Sequence, residues 1–277
     1  MLLPQAFAAE SVPEVLVAVR SGTADLLAGA CAVSWCNAPK PEAEPGGFPI
    51  LMGVVPSMRR LGIGSALVEA AAAWCQSETT ILRNWLPVPE KSGAALFLEQ
   101  TGFLLHHRTL HFETELAGFH LIVDGLRGRM ARSDRVPANA RILRLEDAPA
   151  WDVAALVAPE FAAPYNTILR RLSPRAADAF DLRRSVALYF GAELAGVLIF
   201  SWNEGIVGIE VIVVAMAFRG GAANVLLLEA ATRAAIEGGA ERFRFYCDER
   251  TRDTVGLARR AGASPLWIEA EYRRALI

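Results

Sequence analysis

The sequence contains an internal repeat, and this repeat limits the possible folds more than any other feature of the chain. Three segments recur in the same order in the two halves. They are 27–35 (LAGACAVSW) with 194–202 (LAGVLIFSW), 54–67 (VVPSMRRLGIGSAL) with 213–226 (VVAMAFRGGAANVL), and 96–116 (LFLEQTGFLLHHRTLHFETEL) with 256–276 (GLARRAGASPLWIEAEYRRAL). The shared order and spacing predict two similar domains within the 277 residues rather than one large domain.

Each copy alternates apolar strands with amphipathic helices, which is typical of an α/β fold. Two strands joined by a tight turn are followed by a longer strand, a glycine loop, a helix, a strand, a short helix and a last strand. In the first copy we expect these elements near 13–20, 27–35, 49–56, 60–77, 80–86, 92–101 and 104–116. In the second copy we expect them near 185–190, 194–202, 206–217, 220–238, 242–247, 251–261 and 265–275.

The two copies differ in what precedes them. A strand in ARILRLED and two helical stretches, at 148–161 and 164–182, come before the second copy. Only twelve residues come before the opening strand of the first copy, so we expect it to lack a first strand and helices. Residues 118–139 are predicted to form a helix with a polar face that ends in SDRVPANA. The sequence therefore predicts an N-terminal domain at 1–117, a linker at 118–139 and a C-terminal domain at 140–277.

Composition and charge argue against several kinds of partner. The chain is 53% hydrophobic, yet its longest apolar stretch, 205–218, is too short to span a membrane and contains Glu210. No basic segment precedes the apolar start, so we expect no signal peptide and no membrane contact. A formal net charge of −2 with scattered arginines argues against nucleic acid. The four cysteines have no zinc-site or CxxC spacing, which favours reduced thiols in a cytoplasmic protein.

The glycine loop of the first copy combines features that suit an anion. A strand stops at Pro56, and two arginines and the glycines Gly62 and Gly64 lead directly into a helix. The first-turn amides of a helix have no internal partner, and the helix dipole adds positive charge there, so a phosphate fits such a place. We expect a Cβ at either glycine to keep the backbone away from a pyrophosphate. A plain strand-to-helix turn is the alternative interpretation.

Two better-known phosphate motifs do not match this loop. A dinucleotide-binding fingerprint needs a third glycine where Leu67 stands, and a P-loop needs a Gly-Lys-Ser/Thr sequence that is missing.

The pattern Val55-x-x-x-Arg59-x-x-Gly62-x-Gly64, followed about thirty residues later by AALFLEQTGF, resembles the acetyl-CoA-binding motifs of the GNAT superfamily of N-acetyltransferases. The resemblance extends over about 13–116 and again over 140–277. It implies two GNAT-like domains, each with a mixed, mostly antiparallel sheet flanked by helices. The N-terminal domain would lack its first strand and helices.

The resemblance also implies a function and a set of binding residues. The chain would be an acetyl-CoA-dependent N-acetyltransferase in which a small amine attacks the thioester directly, without a metal. Val54 and Val55 would pair with the pantetheine arm, as peptides do at open sheet edges. The cofactor-binding set is completed by Arg59 and by the pyrophosphate-binding amides of Arg60, Leu61, Gly62, Ile63, Gly64 and Ser65.

The sequence departs from the family pattern in two respects. Members often carry a tyrosine four residues before the Gly-Phe pair, as the acid that protonates the departing thiolate; Leu98 and Ala258 stand there instead. In the second loop, the sequence alignment puts Phe218 in place of the first arginine and Ala223 in place of Gly64. The missing tyrosine in both copies, together with the truncated front of the first copy, favours an alternative, a non-catalytic acyl-CoA-binding or regulatory protein.

Two further groups of residues could carry chemistry. Glu210 is a lone acid in an apolar strand, and it is our candidate general base; a carboxylate that faces solvent or pairs with an arginine is the alternative. His106, His107 and His111 suggest a metal at first sight. Strand alternation, however, turns His106 away and separates the other two by about 13 Å, so we expect no metal site.

Overall fold

The computed structural model describes residues 14–20, 26–33, 48–77, 79–160 and 163–276. Its strands are β1 (Glu14–Arg20), β2 (Leu26–Val33), β3 (Phe48–Val54), β4 (Ile81–Asn84), β5 (Val88–Pro89), β6 (Leu104–Glu115), β7 (Ala140–Arg144), β8 (Val186–Phe190), β9 (Glu193–Asn203), β10 (Ile206–Val214), β11 (Arg242–Asp248) and β12 (Pro265–Ala275). Its α-helices are α1 (Ile63–Cys75), α2 (Gly93–Gln100), α3 (Leu116–Arg132), α4 (Ala150–Glu160), α5 (Tyr165–Arg171), α6 (Ala223–Glu237) and α7 (Arg252–Arg260).

The chain divides into two compact units. Unit 1 consists of Met1–Thr109 and Trp267–Ile277, and unit 2 of Leu110–Leu266. The boundaries therefore fall inside β6 and near the start of β12. The bounds inferred from the repeat, 1–117, 118–139 and 140–277, divide the chain at other residues and stay a proposal.

Unit 1 is a sheet with the strand order β1-β2-β3-β4-β12-β6. The first three strands are antiparallel, whereas β3 and β4 run parallel. The helix α1 buries an apolar stripe at helical spacing against this sheet, and Ser92 caps α2 by accepting a hydrogen bond from the Ala95 amide at 3.2 Å. One continuous cluster of buried side chains from both helices and the sheet forms the core.

The last strand of the chain is built into unit 1, where it pairs antiparallel with β4. Ala270 and Tyr272 of β12 are buried in the core of unit 1, and Glu271 between them lies on the opposite face of the strand. The Tyr272 amide donates to Asn84 Oδ1 at 2.6 Å, and the Tyr272 hydroxyl donates to Glu99 Oε1 at 3.1 Å. Unit 1 therefore depends on residues from the far end of the sequence.

Unit 2 has the strand order β6-β11-β10-β9-β8-β7. A core rich in phenylalanine lies between its sheet, α3 and α6, and includes Phe119, Phe243 and Phe245. A second core lies where α4 and α5 cover strands β8, β9 and β10. In the described residues of unit 1, no helix corresponds to α4 or α5.

The predicted elements of both copies are present, most within two residues of their predicted bounds. The helix predicted over 118–139 forms as α3, and Phe119 and Val123 bury it in the core of unit 2. The helical stretch predicted over 164–182 was too long, because α5 ends at Arg171 and Pro174 cannot continue it. Among the described residues, no helix has the length and apolar character needed to cross a membrane.

Candidate functional site

The glycine loop of unit 1 joins β3 to α1 through a short 3-10 turn. Pro56 begins this turn, Arg59 is extended, and Arg60 has a φ of 65°. The Arg59 side chain folds back, and its Nε donates to the carbonyl oxygen of Val54 at 3.1 Å. Gly62, at φ 80°, then caps α1 in the left-handed region, which glycine adopts without steric cost.

The amides of the loop point to an anion site. In the described part of the chain, no hydrogen-bond partner is found for the amide groups from Arg60 to Ser65. Gly62 provides no side chain to cap the helix, and Leu61 is 71% exposed, so the amides are accessible. Free first-turn amides and the helix dipole together bind anions such as phosphate. The structure thus has the backbone arrangement that the sequence suggested.

The two glycines of the loop have different roles. Nothing lies within 4 Å of the position of a Cβ on Gly62, so its backbone faces open space. A Cβ on Gly64 would lie 3.0 Å from the ring of Phe97 in α2, a close contact that the ring would have to move to relieve. The expectation that a Cβ at either position would obstruct a pyrophosphate stays a prediction; the space at Gly62 is open, whereas a Cβ on Gly64 would first meet Phe97.

An open strand edge adjoins this loop. The parallel pairing of β3 with β4 stops at Ile50, whose carbonyl accepts from the Trp85 amide at 2.9 Å. Beyond that point β3 continues to Val54 beside β2, and no other strand of the described residues pairs with it. The Val55 amide donates to the carbonyl oxygen of Ala28 in β2 at 2.9 Å. Because the main-chain groups of successive residues face alternate edges of a strand, those of Met52 and Val54 face the open side. Since Arg59 occupies the Val54 carbonyl, the Val54 amide is the group available there.

The second glycine loop, in unit 2, has the same outline with different chemistry. It joins β10 to α6 through a 3-10 turn, and Arg219 Nε donates to the Val214 carbonyl at 3.0 Å. This bond repeats the one between Arg59 and Val54, so Arg219 rather than Phe218 corresponds to Arg59. The sequence alignment of the loops was therefore one residue off. The structural counterparts of Gly62 and Gly64 are Ala222 and Asn224.

Two features of the second loop reduce its resemblance to an anion site. Its helix cap, Ala222, has a φ of −74° and is 5% exposed, in contrast to the left-handed and open Gly62. In addition, the Arg219 guanidinium forms an ion pair with the carboxylate of Glu160 from α4. The positive charge of the loop arginine is thus already paired with a carboxylate of the protein.

Glu210 occupies an irregular position in β10. The pairing of β10 with β9 shifts between Ile209 and Val211, so Glu210 sits at a β-bulge, a feature that redirects side chains. Its carboxylate pairs with Arg171, whose guanidinium also lies 3.9 Å from the centre of the Phe180 ring. The structure thus shows the arginine pair that was the alternative to a free base.

The helices α2 and α7 place no acidic hydroxyl at the positions where the family often has tyrosine. Leu98 and Ala258 are both buried in the cores of their units. Within unit 1, a tyrosine reaches α2 from another direction, because the Tyr272 hydroxyl of β12 donates to Glu99. Burial, and secondarily that hydrogen bond, raise the pKa of Tyr272. Sequence patterns gave no signal for this contact, since the two residues are 173 positions apart.

The first two histidines of β6 lie closer together than strand alternation predicted. The ring centres of His106 and His107 are 5.3 Å apart, and His107 Nε2 lies 3.8 Å from Glu271 Oε2 of β12. The expectation that His106 faces away from His107 was therefore wrong.

Comparisons with known proteins agree with this geometry. Residues 4–103 match the Acetyltransferase (GNAT) family, and residues 140–252 match an Acetyltransferase (GNAT) domain. No curated protein matches the chain.

Several solved structures share the fold. A tandem GNAT protein from the clavulanic acid biosynthesis pathway is 19% identical, with a TM-score of 0.57 over 96% of this chain and 83% of that one. A GCN5-related N-acetyltransferase from Sphaerobacter thermophilus is 16% identical, with a TM-score of 0.55 over 90% of this chain and 77% of that one. A probable N-acyltransferase of Enterococcus faecalis V583 is 14% identical, with a TM-score of 0.60 over 90% of this chain and 60% of that one. The chain therefore belongs to the GNAT acetyltransferase family and carries two of its domains in tandem.

Proposed function

We propose that this protein is an acetyl-CoA-dependent N-acetyltransferase that acts on a small amine, and that unit 1 holds the coenzyme. The observation that carries the proposal is the run of unpartnered amides at the Gly62 cap of α1. Such a run suits the diphosphate of coenzyme A better than any other group that the family uses. No metal is required.

In this proposal each part of the loop has a separate task. The amides from Arg60 to Ser65 bind the diphosphate, and Arg59 holds the loop closed through its bond to Val54. The Val54 amide and the open edge of β3 pair with the amide-containing pantetheine arm as an added strand would. The exposed side chains of Arg59 and Arg60 add positive charge beside the phosphates.

The coenzyme supplies an acetyl thioester, whose carbonyl carbon accepts the lone pair of the amine while the carbon–sulfur bond breaks. A main-chain amide at the end of β3 stabilises the oxyanion that forms during this attack. The amine loses one proton as the new bond forms. Glu210 belongs to unit 2, where its carboxylate pairs with Arg171, so we do not assign it as the base for a thioester held by unit 1. Glu210→Gln should therefore leave both kcat and the affinity for acetyl-CoA unchanged.

The coenzyme site is tested with one tryptophan variant in each glycine loop. Gly62→Trp fills the open space in front of the amides, so we expect the affinity for acetyl-CoA, measured by calorimetry, to fall at least about 100-fold. Gly221→Trp places a tryptophan in the exposed loop of unit 2, next to the Ala222 cap, and should leave the affinity within about twofold. Circular dichroism checks that both variants fold. Equal affinities in the two variants would overturn the proposed coenzyme site.

A non-catalytic acyl-CoA-binding protein is the second candidate. The burial of Leu98 and Ala258 favours it, because neither helix offers an acid to the departing thiolate. A free thiol has a pKa of about 8.5, so the thiolate can still leave unassisted. Release of free thiol from acetyl-CoA across a panel of amines separates the two candidates, because turnover with any amine removes the non-catalytic one.

A further inference from the structure

Three polar side chains of unit 1 that the transferase proposal does not use lie close together. His106 and His107 of β6 and Glu271 of β12 each place one potential ligand atom within 4.8 Å of the other two. All three residues are only partly buried, and the side chains of His107 and Glu271 are 21% and 15% exposed. We propose that His106, His107 and Glu271 form a binding site for a divalent transition-metal ion such as Zn²⁺.

The chemistry of the three side chains suits such an ion. Two imidazoles and one carboxylate are a donor set that Zn²⁺ accepts with bonds of about 2.0–2.2 Å, leaving a fourth position for water. Tetrahedral bonds of that length put neighbouring ligand atoms about 3.4 Å apart. The three atoms therefore need to approach by no more than about 1.4 Å from their present separations, which rotation of partly exposed side chains can supply.

The carboxylate of Glu271 is already oriented for this purpose. Its Oε1 accepts a hydrogen bond from Arg273 Nε at 3.1 Å, while its Oε2 lies toward His107 Nε2 at 3.8 Å. Hydrogen bonds from neighbouring groups that fix a ligand in this way strengthen metal sites. Arg273 thus holds one oxygen and leaves the other for the ion.

His107 has an unsatisfied atom in its present arrangement. Its Nδ1 is buried, and among the described residues it has no hydrogen-bond partner. A buried polar atom of this kind calls for an explanation, and an ion bound at Nδ1 itself would supply the missing partner. Adjacent histidines on a regular strand would point to opposite faces, so the proximity of His106 and His107 departs from regular strand geometry.

The test is a titration of tag-free protein with Co²⁺, followed by the visible absorption of the bound ion, and with Zn²⁺, followed by calorimetry. We expect saturable binding of one equivalent per chain. His107→Ala, His106→Ala and Glu271→Gln should each reduce the affinity at least about 100-fold.

His111→Ala is the matched control, because it removes another histidine from the same strand, and it should leave the affinity within about twofold. Absence of saturable binding to the wild type, or equal binding by all four variants, would overturn the metal site. Loss of binding in His111→Ala would overturn it as well. The titrations use no coenzyme, so their outcome is independent of the transferase proposal.

Discussion

The two glycine loops have nearly the same backbone path and different chemistry. In both, a 3-10 turn follows the strand, and an arginine Nε bonds to the last strand carbonyl, at 3.1 Å in unit 1 and 3.0 Å in unit 2. Only unit 1 caps the following helix with a left-handed glycine, whereas unit 2 has the buried Ala222 and an ion pair between Glu160 and Arg219. The comparison shows that the two loops share the arginine bond and differ in the cap residue, which is a left-handed glycine in unit 1 and a buried alanine in unit 2.

The reactivity of the buried cysteine thiols reports on the core of each unit separately, and we expect it to show the largest of the predicted effects. Burial raises the pKa of Cys31 and of Cys75 to about 11, with the other cysteine as a second cause for Cys75, and burial also raises the pKa of Cys247 in unit 2. Since the thiolate is the reactive form, all three should react with Ellman's reagent at pH 8 at least about 100-fold more slowly than in the unfolded chain.

The measurement is best made in a Cys36→Ser background, because Cys36 lies outside the described residues. Fast reaction of Cys31 and Cys75 with slow reaction of Cys247 would show that the core of unit 1 opens independently. That result would contradict the expectation that the cores of both units are comparably inaccessible to the reagent.

The second prediction concerns Gly29 and Gly196, which hold equivalent positions in the repeat beside the two loops. A Cβ on Gly29 would lie 2.9 Å from the Gly53 carbonyl oxygen, and one on Gly196 would lie 2.7 Å from that of Val213. Backbone atoms cannot move aside cheaply, so each alanine substitution should reduce the free energy of unfolding by about 2–3 kcal/mol, with Gly196→Ala the larger loss. Urea denaturation measures both; a negligible loss at either site would show that the strands are free to separate.

The third prediction exchanges the two helix caps. Gly62→Ala forces a Cβ into the left-handed region and should cost about 1–2 kcal/mol of stability, together with a measurable loss of acetyl-CoA affinity. Ala222→Gly should cost only about 1 kcal/mol, since its φ of −74° suits either residue. Thermal unfolding and calorimetry provide the two readouts. If Ala222→Gly lost more stability than Gly62→Ala, the account of Gly62 as the cap that requires glycine would be wrong.

The smallest expected effect is at the ion pair of the second loop. Glu160 and Arg219 are both more than two-fifths exposed, so Glu160→Gln should change stability by less than about 1 kcal/mol. Acetyl-CoA binding per chain should stay the same, because the Ala222 cap remains. A second equivalent bound by Glu160→Gln would show instead that the carboxylate, and not the cap, keeps the coenzyme out of unit 2.

Local features were predictable from the sequence because they follow from periodicity and backbone chemistry. The alternation of apolar residues located the strands, and the sequence from Pro56 to Gly64 indicated a strand, a tight loop and a helix start. The loop alignment failed by one residue because two adjacent arginines, Arg59 and Arg60, can each be matched to Arg219. Only the bond from the side chain to the strand carbonyl identifies the correct one.

Long-range placement was not predictable. The repeat located β12 correctly but could not tell that it joins the sheet of unit 1, because strand propensity says nothing about which neighbour a strand will pair with. The contact between Tyr272 and Glu99 and the cluster around Glu271 both follow from that placement. The β-bulge at Glu210 was missed for a similar reason, since an extra residue in a strand is visible only in its register with the partner.

Native mass spectrometry with acetyl-CoA tests the central claim most directly, because it counts bound coenzyme molecules per chain. The account predicts one equivalent on the wild type and on Gly221→Trp, and none on Gly62→Trp. Two equivalents on the wild type, or one that survives in Gly62→Trp, would contradict it.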